Sequence, residues 1–314
     1  MLTVNPFLIA GKRMSTQRSL VTALDLHADL VVATVGDYDF AKGLVRAYRR
    51  TRGGKFEALG MIAPAADLWI VYSDGYYLDH RVRGFARRRE FFNAQIEFHE
   101  RALAAGRIGR MINAPKAEAR TLKSWLAPLS AAEYRTIPTH VLSSIDEVYR
   151  LLRNEGAIVA KLDWGGAGDG VYRLSNESDV RGFERRLAEA GSALSDYCFQ
   201  PYRPGDETRM WFVGGRFVAG RKCRGRKTPW SDRADDYEVY PYDASVEGFA
   251  ADLAAAERLC ARAELNVGAI DFIGKSINEI NGCGTVFTEY RGWRCIVDAR
   301  PALVRYFVDL LPTL

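Results

Sequence analysis

A chain of 314 residues, 48% of them hydrophobic and with a net charge of +5, has the size and composition of one or two well-packed cores, which excludes disordered and fibrous classes. No apolar run approaches the length of a membrane span, and the start lacks the basic and long apolar regions of a secretory signal; a cytoplasmic protein with no membrane partner is predicted. Cysteines at 198, 223, 260, 283 and 295 without C-x-x-C spacing, and His27, His80, His99 and His140 without a paired ligand spacing, argue against a disulfide framework and a transition-metal site.

Apolar runs at 29–34 (DLVVAT) and 67–73 (DLWIVYS) read as buried parallel strands, and 91–105 has helical periodicity, so the first third predicts an open α/β domain. The arginines of HRVRGFARRRE (80–90) read as the exposed side of a helix start. Phe85, Phe91 and Phe92 beside them have the spacing of a helix core rather than of a stacking platform, so no nucleic-acid partner is expected. RMINAP (110–115) closes the domain with a short strand and a proline. A helix over 117–127 follows, then a strand at IPTHVL (137–142). Ser144 to Glu147 has capping-box spacing and opens a helix to about Arg153.

From there the pattern changes to α+β. Strands at 157–162 and 171–174 read as a hairpin, with a helix at 179–190 behind it. Strands at 197–202, 208–213 and 216–223, a helix at 247–264, and strands at 267–273 and 277–281 complete the pattern.

The hairpin connection in AIVAKLDWGGAGDGVYRL (157–174) holds four glycines in six positions, directly after Lys161 ends an apolar run. Glycine lets backbone N–H groups approach an anion closely; a ligand-free hairpin connection uses it equally well. Because the lysine precedes the glycines, the loop is not a P-loop. DFIGKSINEIN (271–281) carries Asp271, Glu279 and Asn281, oxygen donors of the kind Mg²⁺ prefers. Glu279 and Asn281 are two apart and share a strand face, and a three-residue loop at Gly274-Lys275-Ser276 would set Asp271 opposite Glu279.

Taken in order, INAP…TLK (112–123), AKLDWGGAGDG (160–170), FQPYRPGDETRMWFVGGRFVAGRKCR (199–224) and GAIDFIGKSINEING (268–282) resemble the ATP-grasp superfamily, and within it prokaryotic glutathione synthetase. The resemblance implies an ATP-grasp fold in three parts: an N-terminal α/β domain over 1–114, a small subdomain with a glycine-rich flap over 115–198, and a C-terminal subdomain with the metal site over 199–314. It implies ATP as cofactor, with Lys123 and Lys161 on its phosphates and Gly165, Gly166 and Gly168 in a flap (164–170) that closes over them. Gln200 to Tyr202 would form the strand that reads the adenine edge, and Asp206 would reach the ribose. Arg209 would reach the terminal phosphates or an acyl phosphate, with Arg224 as a second arginine at the reaction centre. Asp271, Glu279 and Asn281 would hold two Mg²⁺ ions. The implied reaction is an ADP-forming carboxylate–amine ligation through an acyl phosphate, with Lys161, Arg209 and Arg224 as its catalytic cations. The alternative is a nucleotide-binding regulatory protein of the same fold that does no ligation.

The resemblance leaves room for Mn²⁺ in place of Mg²⁺ and for a homo-oligomer. It weakens where substrates would bind. The segments 225–240 (GRKTPWSDRADDYEVY), GCGTVFTEYRGW after Asn281, and YSDGYYLD (72–79) depart from the glutathione synthetase pattern. Tyr76, Tyr77, Arg81 and Arg83 are candidates for contacts to a carboxylate or aromatic substrate, or else surface residues. Glutathione is therefore not the expected product, and amino acids or small peptides are the expected substrates.

Overall fold

The computed structural model describes residues 1–4, 20–22, 24–25, 30–51, 55–71, 85–113, 115–163, 165, 168, 170–224, 238–282, 288–291 and 294–311. The expected parallel strands assemble around β1 (Leu2–Val4). On either side lie β2 (Val31–Asp39) and β5 (Ala66–Val71), with β6 (Ile108–Ile112) beyond β5, all parallel. Two strands that the sequence reading lacks extend the other edge as an antiparallel meander, β3 (Leu44–Arg50) and β4 (Phe56–Ile62), giving the order β4-β3-β2-β1-β5-β6. Neither has the continuous apolar run of a strand buried on both faces, because β4 is exposed along most of its length. Helix α1 (Phe85–Ala104) begins six residues before the expected helix at 91–105 and lays Phe98 and Ala102 against Trp69, Ile108 and Met111.

Asn113 ends this unit in the left-handed region at φ 51° and is fully buried. Its amide donates to the Val267 carbonyl at 2.6 Å and accepts from the Asn266 and Val267 N–H groups at 2.9 Å each, so one side chain clamps the two halves of the chain together. The helix expected over 117–127 divides into α2 (Pro115–Ala119) and a 3-10 turn, Lys123–Leu126. IPTHVL forms no strand. After the short helix α3 (Ala131–Tyr134), Thr136 bridges to Ile277 and His140 to Phe199, so the linker bonds to two different sheets and extends neither. Helix α4 (Ile145–Glu155) opens as expected: Ser144 Oγ accepts from the Glu147 N–H at 3.3 Å, and the Glu147 carboxylate accepts from the Ser144 N–H at 3.2 Å.

The first of the further sheets has the order β8-β7-β9, from β7 (Ile158–Leu162), β8 (Val171–Leu174) and β9 (Tyr197–Pro201). Helices α4 and α5 (Glu177–Ala190) cover it, with Val148, Val180 and Phe183 packed on Ile158, Ala160 and Phe199. A subdomain boundary between 198 and 199 falls inside β9, whose five residues pair with β7.

The second sheet has the order β12-β11-β10-β13-β14, from β10 (Glu207–Val213), β11 (Arg216–Arg224), β12 (Glu238–Pro241), β13 (Val267–Ile273) and β14 (Ser276–Asn281). Strand alternation sends Met210, Phe212, Ile270 and Phe272 under helix α6 (Phe249–Ala263). The intervening Trp211, Val213, Val267 and Ala269 join a core with Leu20 and Ile70, and with Leu303 and Phe307 of helix α7 (Arg300–Leu310). A small hairpin, β15 (Thr288–Arg291) and β16 (Arg294–Asp298), adds Val297 to that core. Each fully buried side chain of this size contributes about 1.5–3 kcal/mol, so the sheet is held firmly on both faces at its apolar end. Its other end carries charge.

Candidate functional site

On the face of β10 and β13 that buries Trp211 and Ala269, the next residues toward the opposite end are Arg209 and Asp271. Cross-strand register lines up four side chains in one row: Glu279 opposite Asp271, Asp271 opposite Arg209, and Arg209 opposite Arg221. Residues directly opposite in a ladder share a face, so the row is a fixed strip that runs from two carboxylates to two guanidinium groups. Asn281, two residues after Glu279, joins it and donates from Nδ2 to Asp271 Oδ2 at 3.0 Å.

The expectation that Asp271 faces Glu279 holds, but the expected three-residue loop does not. Ser276 already pairs with Ile273, so the turn is two residues, Gly274-Lys275. In a regular ladder that turn would set Asn278 against Asp271 and rotate Glu279 onto the helix-covered face. A bulge between Asp271 and Phe272 on β13 and Ile277 and Glu279 on β14 makes Asn278 the extra residue and returns Glu279 to the strip. A Gly-Lys-Ser sequence is compatible with either turn, so the composition alone does not reveal the bulge.

The half-buried Arg209 and the buried Asp271 form a bidentate pair, Nε to Oδ1 at 2.7 Å and Nη2 to Oδ2 at 2.6 Å. Burial by itself would lower the arginine's pKa; the Asp271 charge and hydrogen bonds outweigh it and raise it. Burial would likewise raise the Glu279 carboxyl, but Lys123, then Lys161 and Arg209, hold it below the usual carboxylate range. Lys123 Nζ lies 3.6 Å from Glu279 Oε2 and donates to the Gly165 carbonyl at 2.6 Å.

The two lysines come from the neighbouring elements. Lys123 opens the 3-10 turn, and Asp163, at the end of β7, fastens that turn by accepting from Ser124 N–H at 2.7 Å and Ser124 Oγ at 2.8 Å. Lys161, only 6% exposed on β7, donates to Gln200 Oε1 at 2.5 Å and also to Asn278 Oδ1. Burial pushes its ammonium down to about 8, against the pull of Glu279 and Asp271 and with the push of Lys123.

Of the glycines, Gly165 and Gly168 are described and Gly166 lies outside the described residues. Gly168 has φ 83° and Gly170 φ 66°. A Cβ on Gly170 would stand 2.7 Å from Leu162 Cβ, so this glycine is required by the close of the hairpin. Gln200 sits on the edge strand with its side chain consumed by Lys161, Thr139 Oγ1 at 2.9 Å and the Asn278 carbonyl at 3.3 Å. Its backbone faces β7. Phe199 N–H and carbonyl both bond His140 on the outer side, so alternation turns Gln200 inward and the Pro201 carbonyl outward. Tyr202 N–H bonds the Ala157 carbonyl, and its ring lies 4.0 Å under the Arg173 guanidinium. Asp206 pairs with Lys222 at 3.5 Å.

The second arginine is not where the sequence reading places it. Arg224 is exposed, pairs in register with Glu238 and lies over the Tyr240 ring; alternation puts it on the opposite face from Arg209. Arg221 occupies the strip instead, 5% exposed, donating to Glu207 Oε1 at 2.6 Å and to Cys223 Sγ at 2.8 Å. Counting by twos back from Arg209 through the Gly214-Gly215 turn would have required the bulge near Trp211 and Phe212, which nothing in the sequence marks.

Two carboxylates and an amide form a donor set suited to a hard cation; among the described residues no group of three His, Cys, Asp or Glu side chains does so. With Nδ2 of Asn281 committed to Asp271, its Oδ1 is the ligand atom on offer, so the set fits Mg²⁺. The segments 72–79, Arg81, Arg83, 225–237 and 283–287 lie outside the described residues. Among the described residues no helix is long and apolar enough to cross a membrane.

No protein-family model and no curated protein matches the chain. Solved structures match it along its whole length and show that it has the ATP-grasp fold. The ATP-grasp ligase PsnB complexed with a minimal precursor is 16% identical over 99% of this chain and 97% of its own, with a TM-score of 0.60. The macrocyclase MdnC bound with precursor peptide MdnA, from Microcystis aeruginosa MRC, is 14% identical over 100% and 99%, at 0.60. D-alanyl-alanine synthetase A from Vibrio cholerae is 13% identical over 99% and 96%, at 0.59.

Proposed function

We propose that the protein is an ATP-dependent carboxylate–amine ligase whose substrates are amino acids or peptides. The observation that carries the reading is the convergence of Lys161 and Lys123 from one side and Arg209, Asp271, Glu279 and Asn281 from the other. Such a set neutralises polyphosphate and positions a divalent cation; it contains no nucleophile–base pair of an acyl-enzyme mechanism. An ATP-grasp ligase and a macrocyclase, each a structural neighbour bound with a precursor peptide, support the peptide substrate.

In this reading Asp271, Glu279 and Asn281 would hold Mg²⁺, which would supply positive charge to neutralise the phosphates. Lys161 and Lys123 grip the phosphates from above the strip. Arg209, fixed in place by Asp271, offers its remaining N–H groups to the transferring phosphoryl group, and Arg221 takes the second-arginine role expected of Arg224. The outward Pro201 carbonyl is the acceptor on the hinge edge for an adenine amino group. A substrate carboxylate oxygen attacks the γ-phosphorus and ADP leaves; an amine then attacks the acyl carbon, phosphate leaves, and the amine loses a proton. Pairwise assays of amino acids and short peptides, with mass spectrometry of the products, are expected to show ADP and phosphate formed together with an amide. AMP and pyrophosphate would overturn the mechanism, and nucleotide binding without any turnover would favour the regulatory alternative.

Lys161 gives the site a pH dependence. Its ammonium carries charge below about 8 and loses it above, so nucleotide affinity should be full below that value and decline as pH rises past it. A bound phosphate restores the proton, and at pH of about 8.5 binding should take up protons. Calorimetry in buffers of contrasting ionisation enthalpy measures the uptake, and a zero value would contradict the assignment of Lys161 to the phosphates.

A further inference from the structure

We infer that Asn278 is a positioning residue that aims Lys161 at the nucleotide, and that the β14 bulge exists to bring it there. The inference rests on the nucleotide-binding reading above. A lysine ammonium has three donors on a flexible stem, so a single partner leaves it free to rotate. Here two donors are fixed by amide oxygens that come from different sheets: Gln200 Oε1 on β9 and Asn278 Oδ1 on β14. The third is thereby confined in direction, and the charges of Glu279 and Asp271 act on the same ammonium.

The two amides are themselves held. Gln200 Nε2 donates to Thr139 Oγ1 at 2.9 Å and to the Asn278 carbonyl at 3.3 Å, so Gln200 meets both the side chain and the main chain of Asn278. Thr139 Oγ1 in turn donates to the Ile137 carbonyl at 3.1 Å. A buried polar network is rigid when its members are satisfied, and this one ties the phosphate lysine, the edge strand and the metal strand into a single unit. Neutral amides suit the task. A carboxylate in either position would pair with Lys161 and cancel the charge a phosphate needs, whereas an amide oxygen orients the ammonium and leaves it charged. The bulge supplies the geometry, because both residues of a bulge lean to the same side of the strand. Asn278 and Glu279 therefore both reach the site, one to a lysine and the other to the cation position.

The test is a double-mutant cycle on Mg·ADP affinity measured by calorimetry. Asn278→Ala is expected to weaken Mg·ADP about tenfold, and Lys161→Met about a hundredfold. In the Lys161→Met background, adding Asn278→Ala should change affinity less than about twofold, because Asn278 acts through the lysine. Asn278→Leu, which keeps the volume and removes the acceptor, should reproduce the alanine result. Additive losses overturn the inference, as do Asn278 variants that bind like the wild type or that unfold. Failure of the wild type to bind Mg·ADP overturns the nucleotide reading itself, and additivity with normal wild-type binding overturns the role of Asn278 alone.

Discussion

Glu279→Gln is expected to give a folded protein whose ATP turnover falls at least about a thousandfold, or roughly 4 kcal/mol of transition-state stabilisation. The side chain keeps its length and one carbonyl oxygen but loses the charge that faces Lys123, Lys161 and Arg209. Four consequences of that change act in the same direction. The cation position loses a carboxylate, the amide turns N–H donors toward other cations, Lys123 loses its partner at 3.6 Å, and the surrounding positive charge becomes less compensated. Binding of nucleotide without magnesium should survive, because the lysines remain and phosphate supplies the missing negative charge. Thermal melts establish the fold and phosphate release measures the turnover. A variant that turns over ATP at the wild-type rate would remove Glu279 from the site.

Arg209→Ala should have the largest effect on the fold itself, about 3–5 kcal/mol of lost stability. Asp271 is 3% exposed and receives both of its short bonds from this guanidinium; after truncation Asn281 Nδ2 still donates to it, at 3.0 Å. Breaking one half of a buried pair costs more than removing both halves, so Arg209→Met with Asp271→Leu should recover much of the loss in denaturant unfolding. A single variant as stable as the wild type would show that the Asp271 carboxylate is not a buried charge. The same argument limits what inactivity of Arg209→Ala can mean, since it mixes a lost phosphate contact with a weakened sheet. Arg209→Lys, which keeps the charge and loses the fork, separates the two.

Much of the candidate site is legible in the sequence because strand alternation is a strong constraint. Asp271, Glu279 and Asn281 are polar positions on strands with buried apolar neighbours, and their spacing alone places Glu279 and Asn281 on one face. Lys161 is visible as the end of a buried run. Of the paired strands from 158 to 281, all but β12 (Glu238–Pro241) are found to within a residue or two for the same reason. What the sequence hides is every feature created by a departure from regular pairing. The bulge at Asn278 and the bulge near Trp211 have no residue signature, and the second of them moves Arg221 rather than Arg224 into line with Arg209. The network of Gln200, Thr139 and Asn278 joins residues up to 139 positions apart in three elements, which spacing cannot reveal. β3 and β4 escaped because an exposed meander has neither a continuous apolar run nor a clean alternation.

The β13–β14 hairpin also says something about how such a site can drift over generations. Loss of the codon for Asn278 would leave Ile277 opposite Phe272 and Glu279 opposite Asp271 in an unbroken ladder, so the carboxylate pair would survive a one-residue deletion unchanged in register. Any other single deletion between Ser276 and Glu279 must first be absorbed by losing the bulge, and an insertion there turns Glu279 away. The hairpin therefore tolerates length change in one direction only, and a lineage that took that step would keep its acidic pair while leaving the lysine of β7 with a single amide to hold it.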